Sequence, residues 1–107
     1  MPTFLLISRH APWKLLAIFN EKTRQITLDL INKLESIMGK YGIKRLGAWL
    51  DLPEHTLYEV FDSPSLEAFQ SMGMEPEIVQ WSSFNKMEIK LVANVEDVRS
   101  LLEQPIK

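Results

Sequence analysis

A long amphipathic pattern from Glu21 to Tyr41 is the feature that most constrains the fold of this chain. Its apolar side chains recur at spacings of three and four residues, which places them on one side of an α-helix. The members of this stripe are Ile26 or Thr27, Leu30, Ile31, Leu34, Ile37, Met38 and Tyr41. Asn20 is a favourable N-cap, and Gly42 supplies the left-handed conformation that ends many helices.

Four segments around this helix have the character of strands. Phe4–Ile7 is a continuous apolar run, typical of a strand buried on both faces in the middle of a sheet. Lys44–Leu52 alternates between apolar and polar residues, and His55–Asp62 is rich in residues that favour strands. Asn85–Val92 alternates as well, with one face formed by Met87, Ile89 and Leu91.

A turn at Pro53–Glu54 joins the second and third predicted strands. A hairpin centred there places Trp49 opposite Tyr58 and Ala48 opposite Glu59. These pairs predict the register of the whole hairpin.

Three shorter helices are predicted in the second half of the chain. Ser63 followed by Pro64 predicts an N-cap and a first helical position, and Gly73 ends that helix. Its predicted inward side chains are Leu66, Phe69 and Met72. Another short helix begins at Glu75–Pro76, and Asn94 caps a closing helix with the apolar side Val95, Val98, Leu101 and Leu102.

This order of elements, β-α-β-β-α-β with a terminal helix, predicts an α+β fold. Right-handed connections close it into a ferredoxin-like sandwich, with four antiparallel strands and helices on one face. The length of 107 residues fits a single domain over residues 1–107.

Composition narrows the possible functions. The chain has 12 Lys and Arg against 14 Asp and Glu residues, and 12 − 14 gives a net charge of −2. That balance lacks the basic surface of proteins that bind nucleic acid or anionic membranes. The absence of cysteine excludes disulfides, thiolate metal sites and a cysteine nucleophile. The first residues lack the cationic start and long apolar stretch of a secretory signal, so we expect a cytoplasmic protein.

The face of the sheet without helices is predicted to be apolar. It carries Trp49, Tyr58, Val60, Val92 and one side of Phe4–Ile7. A patch of several hundred Å² is unusual on a monomer. Its burial contributes on the order of 10 kcal/mol before association entropy is subtracted. We therefore expect a homodimer whose open sheet faces pack on each other.

The chain resembles the dimeric α/β-barrel superfamily, in particular its small stand-alone prokaryotic members of unassigned function. The resemblance lies in Lys44–Trp49, Glu54–Tyr58, Asp62–Ala68 and Met74–Glu77. It implies that two ferredoxin-like sheets pair into a barrel, with a pocket inside the barrel or between helices and sheet. Its relatives include cofactor-free monooxygenases, haem-degrading enzymes, muconolactone isomerase and stress-induced proteins. They share no single set of catalytic residues, so the fold does not imply a function.

The two histidines, His10 and His55, are predicted at strand ends or turns, where side chains line the pocket mouth in such a barrel. His55 lies close in sequence to Tyr58 and Glu59, and these three form a candidate acid–base cluster. The alternative is that His55 only closes the hairpin.

Glu59 is predicted on the same strand face as Leu57 and Phe61. A carboxyl in apolar surroundings has a raised pKa and can accept a proton. The alternatives are an ion pair with Arg9 or Arg45, or a position in water at the sheet edge.

The candidate ligand-binding residues are His10, Trp13, Trp49, His55, Tyr58 and Trp81. Trp49 and Tyr58 form either a stacking platform for a planar ligand or part of an interface. No metal and no cofactor are expected, because the histidines lack ligand spacing and no phosphate-binding glycine loop is present.

Two functions remain open. The first is binding of a small apolar or aromatic molecule in the barrel of a homodimer, as a sensing or assembly module. The alternative is a cofactor-independent monooxygenase- or isomerase-like enzyme that uses His55 and Glu59 as acid–base groups.

Overall fold

The computed structural model describes residues 2–9 and 21–105, which form an α+β fold with a four-stranded sheet and four helices. The elements in chain order are β1 Thr3–Arg9, α1 Glu21–Lys40, β2 Lys44–Asp51, β3 Thr56–Asp62, α2 Leu66–Gly73, α3 Pro76–Ser82, β4 Lys86–Val92 and α4 Val95–Leu102. This order agrees with the one predicted from the sequence.

All strand pairs are antiparallel, and the strand order in the sheet is β2-β3-β1-β4. Both the order and the helices are compatible with a ferredoxin-like fold. In the β2–β3 hairpin, Trp49 lies opposite Tyr58 and Ala48 lies opposite Glu59, as predicted. An irregularity in β2 between Arg45 and Gly47 shifts the register there.

The core lies between the helices and one face of the sheet, which we call the helix-side face. Phe4 and Leu6 of β1 point to this face, opposite Phe61 and Glu59 of β3. The Phe4 ring stacks on Phe69 of α2, with 4.8 Å between the ring centroids. The buried apolar cluster comprises Phe4, Leu6, Ile37, Ile43, Phe61, Phe69, Met72 and Ile78.

Helix α1 ends at Lys40 with a pair of hydrogen bonds that leave Gly42 in a left-handed conformation, at φ +68°. The Ile43 amide donates to the carbonyl of Met38 at 3.0 Å, and the Gly42 amide donates to that of Gly39 at 3.3 Å. This is the Schellman arrangement, in which a residue without Cβ avoids backbone strain. The predicted helix stop is therefore confirmed.

The apolar stripe of α1 is only partly covered. Ile37 is buried, while Leu30, Met38 and Tyr41 are partly buried against the core. Ile31 belongs to the same stripe, yet 63% of it is exposed. Space therefore remains between α1 and the sheet. The predicted N-cap of α1, at position 20, lies outside the described residues.

Hydrogen bonds and an ion pair connect the start of α3 to α1 and the residue that follows it. The Glu75 carboxylate accepts hydrogen bonds from Lys40 Nζ and from the Tyr41 hydroxyl, each at 2.7 Å. The hydrogen bond from the Lys40 ammonium, and to a smaller extent the one from the Tyr41 hydroxyl, holds the pKa of the Glu75 carboxyl below its ordinary value. A second pair joins Lys33 and Glu77 at 3.4 Å.

Helix α2 begins later than predicted. Its N-cap is Ser65, whose hydroxyl accepts a hydrogen bond from the Ala68 amide at 3.0 Å. Ser63 is not the cap, and its hydroxyl instead donates a hydrogen bond to the Ser65 carbonyl at 2.7 Å. The predicted inward position of Leu66 is also wrong, since this side chain is 46% exposed.

The predicted third strand includes His55, but in the structure β3 starts at Thr56. His55 lies in the turn with a φ of +50°, a left-handed value that interrupts extended geometry. Its amide donates to the Leu52 carbonyl at 3.3 Å, and Asp51 accepts from the Glu54 amide at 3.2 Å. The turn is therefore centred on Pro53 and Glu54, as predicted.

The opposite side of the sheet, which we call the open face, carries Trp49 and Tyr58 side by side. Trp49 is 61% exposed, and its indole lies over Gly47, where a Cβ atom would collide with the ring. The other predicted apolar members are more covered: Ile7 is buried, and Tyr58 and Val60 are partly buried.

Helix α4 carries the predicted cap, because Asn94 Oδ1 accepts a hydrogen bond from the Glu96 amide at 2.8 Å. None of its eight residues is buried. Leu102, on the predicted apolar side, is 81% exposed. This apolar side is therefore uncovered in the single chain.

Candidate functional site

A cavity of about 500 Å³ lies between α1 and the helix-side face of the sheet. We call it the main chamber. Its walls are mostly apolar because the stripe of α1 faces the apolar positions of β1, β3 and β4. The residues that bound it on the helices include Thr27, Leu30, Leu34, Met72, Gly73 and Trp81. Those on the strands include Leu6, Leu57, Glu59, Phe61, Met87 and Ile89.

The charged side chains among the described residues of this wall are Glu59 and Arg45, which pair with each other. Arg45 Nη1 lies 3.2 Å from Glu59 Oε2. Glu59 is 6% exposed, while the Arg45 side chain remains partly exposed. Burial raises the pKa of the Glu59 carboxyl above its ordinary 4.5, and the hydrogen bond from Arg45 opposes that rise only in part.

A second chamber, of about 380 Å³, lies farther along the same gap. The two chambers share a wall formed by Thr27, Ile31, Leu57 and Trp81. The second chamber is also bounded by Ser8, at the end of β1, and by His55, in the β2–β3 turn.

The edges of the gap expose large apolar side chains. Ile31 of α1, Leu50 of β2 and Ile89 of β4 are each more than half exposed while they line one of the chambers. An apolar rim around an apolar cavity is typical of an entrance for a small molecule.

Comparisons with known proteins identify the family and the fold. Residues 8–106 match the family model described as Domain of unknown function (DUF3303). The chain belongs to this family. The DUF3303 chain also resembles the crystal structure of protein Atu4242 from Agrobacterium tumefaciens, a structural genomics target, with a TM-score of 0.56 and 13% sequence identity. The match covers 87% of this chain and 92% of that chain, and at such identity it concerns the fold alone. No curated protein matches the chain significantly.

The structure brings together only some of the predicted site residues of this DUF3303 chain. Glu59 lines the main chamber, His55 lines the second, and Trp81 lines both. Tyr58 and Trp49 belong to the open face and line neither chamber. His10 and Trp13 lie outside the described residues.

The three residues of the predicted acid–base cluster, His55, Tyr58 and Glu59, therefore do not line a common cavity. Side chains alternate along β3, so Tyr58 points away from the cavity that Glu59 lines. The predicted face of Glu59 is confirmed, and of the two arginines proposed as its partner, Arg45 is the one in contact.

Sequence reasoning missed two groups of lining residues. The stripe of α1 predicts only the apolar side of a helix, whereas in the structure Thr27, Leu30 and Leu34 border the main chamber. Ser8 was not considered, although the alternation of Phe4, Leu6 and Ser8 along β1 places its hydroxyl on the helix-side face.

Within residues 2–9 and 21–105, no three histidine or acidic side chains cluster as metal ligands. In the same part of the DUF3303 chain, no helix has the length and apolar character needed to cross a membrane.

Proposed function

We propose that this protein binds a small, largely apolar or aromatic molecule in the main chamber. The observation that carries the proposal is the apolar cavity of about 500 Å³, whose charged pair is mutually satisfied. Binding pockets for small molecules typically have volumes of about 300–1,000 Å³ and apolar walls with a few polar groups. The paired Glu59 and Arg45 fit the role of such polar groups.

The proposal extends to assembly and location. Two copies pair through their open faces, around Trp49 and Tyr58, as in the dimeric α/β-barrel superfamily that the sequence resembles. The exposed Trp49 indole supports this pairing, since a large aromatic side chain contributes strongly to an interface. The absence of cysteine in the sequence supports a cytoplasmic location.

Filling the main chamber tests the binding function. Gly73 lines the chamber, and a Cβ atom there meets no heavy atom within 4 Å. Gly73→Leu therefore adds an apolar side chain at the wall of this chamber. We expect it to weaken the binding of 2-naphthol, an aromatic probe, by about tenfold or more in isothermal titration calorimetry.

Gly39→Leu is the matched control, because Gly39 is a helical glycine with equally open surroundings that does not line the chamber. Both variants should gain about 0.5–1 kcal/mol of unfolding free energy from the loss of a helical glycine. Equal binding of 2-naphthol by Gly73→Leu and Gly39→Leu would contradict the proposed function, and so would a wild type that binds neither 2-naphthol nor its analogues naphthalene and 2-naphthoate.

A second candidate, a cofactor-independent enzyme of the isomerase or monooxygenase type, is favoured by the position of Glu59. Its carboxyl is buried at the chamber wall, and its raised pKa makes the ionised form a better proton acceptor. His55, its proposed acid–base partner, contributes to the second chamber instead.

A carbon acid of suitable size tests this candidate. 5-Nitrobenzisoxazole loses its ring C–H proton to a base while its N–O bond breaks, and the coloured nitrophenolate product reports the rate. An enzyme with Glu59 as base accelerates this elimination, and Glu59→Gln loses the acceleration while Gly39→Leu keeps it. A wild-type rate no higher than that of buffer removes this candidate and leaves the binding function intact.

A further inference from the structure

The hydroxyl of Ser8 is the one buried side-chain polar atom of the described residues that has no hydrogen-bond partner. Ser8 is 2% exposed and lies on central strand β1, between Leu57 of β3 and Met87 of β4. A buried hydroxyl without a partner has lost its hydrogen bonds to water and gained nothing in return. An alanine in this position would avoid that cost.

Ser8 also lines the second chamber. The Oγ atom is itself buried, so a molecule in that chamber reaches it only after the Ser8 side chain turns to another staggered position. Part of the surrounding wall is apolar and is formed by Leu57, Ile31 and Trp81, which also line the main chamber. The unsatisfied hydroxyl is thus next to a space that a ligand can enter.

We infer that the ligand of this protein is a neutral, mainly apolar molecule with one hydroxyl or carbonyl oxygen, which hydrogen-bonds to Ser8 Oγ in the second chamber. This inference rests on the proposed binding function and adds the chemical class of the ligand. Its apolar body extends from there into the main chamber, beside Leu57 and Trp81, which line both chambers.

Neutrality follows from the surroundings of Ser8. A single hydroxyl cannot replace the hydration of a buried carboxylate, and burying an ion without a partner is far more costly than burying a hydroxyl. The Glu59–Arg45 pair does not supply a net charge. The basic residues that line the second chamber itself are His55, in the turn, and Arg24, which is exposed to solvent, and both already interact with other groups of the protein.

The test compares naphthalene, 2-naphthol and 2-naphthoate by isothermal titration calorimetry with the wild type and Ser8→Ala. We expect Ser8→Ala to weaken 2-naphthol binding about tenfold, the effect of one buried hydrogen bond, and to change naphthalene binding less than about twofold. Ser71→Ala, on the exposed surface of α2, is the matched control and should leave both affinities unchanged. Ser8→Ala should melt at a temperature no lower than that of the wild type.

The outcomes separate the inference from the function on which it rests. If none of the three probes binds the wild type, the proposed function itself fails. If naphthalene and 2-naphthol bind but Ser8→Ala changes their two affinities by the same factor, the Ser8 hydroxyl does not hydrogen-bond to the ligand. Its partner is then another group, for instance a water molecule, and the inference is overturned. It is also overturned if the wild type prefers 2-naphthoate to 2-naphthol, because the site then selects an anion.

Discussion

At the residue scale, the buried Glu59 carboxyl makes the stability of the fold depend on pH. Its pKa is raised mainly by burial, so the folded protein holds this proton more tightly than the unfolded chain does. The resulting stabilisation is complete below the ordinary pKa of 4.5 and is lost as pH rises through the higher pKa of the folded state.

We expect the stability of the Glu59→Gln variant not to fall with rising pH in this way. Relative to the variant, the wild type should become less stable as pH increases from below 4.5, because only the wild type must ionise a buried group. Urea unfolding over this pH range measures the difference. Arg45 is partly exposed and stays hydrated in the variant. Glu35→Gln, at an exposed position on α1, controls for the lost charge. If the unfolding free energies of the wild type and of Glu59→Gln change with pH in parallel, the expectation is contradicted.

Residues differ in how far the sequence discloses their roles. The alternation along β3 was enough to place Glu59 on the apolar face, and Arg45 was among its possible partners. Ser8 could be placed on the same face by the same alternation, but whether a hydroxyl is paired depends on neighbours from distant parts of the chain. The missing hydrogen bond of the Ser8 hydroxyl can therefore be recognised only from the three-dimensional structure.

At the element scale, features fixed by local chemistry were predictable. Helix α1 and its stop at Gly42 follow from periodicity and a left-handed glycine, and the turn at Pro53–Glu54 fixes the hairpin register. The start of α2 was missed because serine occupies both position 63 and position 65, and only the hydrogen bond from the Ala68 amide to the Ser65 hydroxyl shows which of them is the cap. The resemblance implies a pocket inside the barrel or between helices and sheet, but its lining by α1 could not be predicted, because a periodic stripe shows which side of a helix is apolar and not how closely that side packs.

At the scale of the whole molecule, a substitution of Trp49 tests the proposed pairing through the open face. We expect Trp49→Glu to abolish association, because the charge must be buried where the 61% exposed indole now lies. Sedimentation velocity at micromolar concentration should then show a dimer for the wild type and a 12.4 kDa particle for the variant.

Leu102→Glu in α4 is the matched control, since it adds the same charge to another exposed apolar position. It should remain dimeric. A wild type that sediments as a single chain contradicts the pairing, and dissociation by Leu102→Glu but not by Trp49→Glu contradicts the choice of the open face.

Helix α4 has a further consequence for how the protein behaves in solution. An eight-residue helix is too short to persist by its own hydrogen bonds, and none of its residues is buried against the rest of the chain. Its amide protons should therefore exchange with deuterium almost as fast as those of a free peptide, and Arg99 should be open to trypsin. The rate of amide hydrogen exchange in α4 therefore measures whether another surface covers this helix.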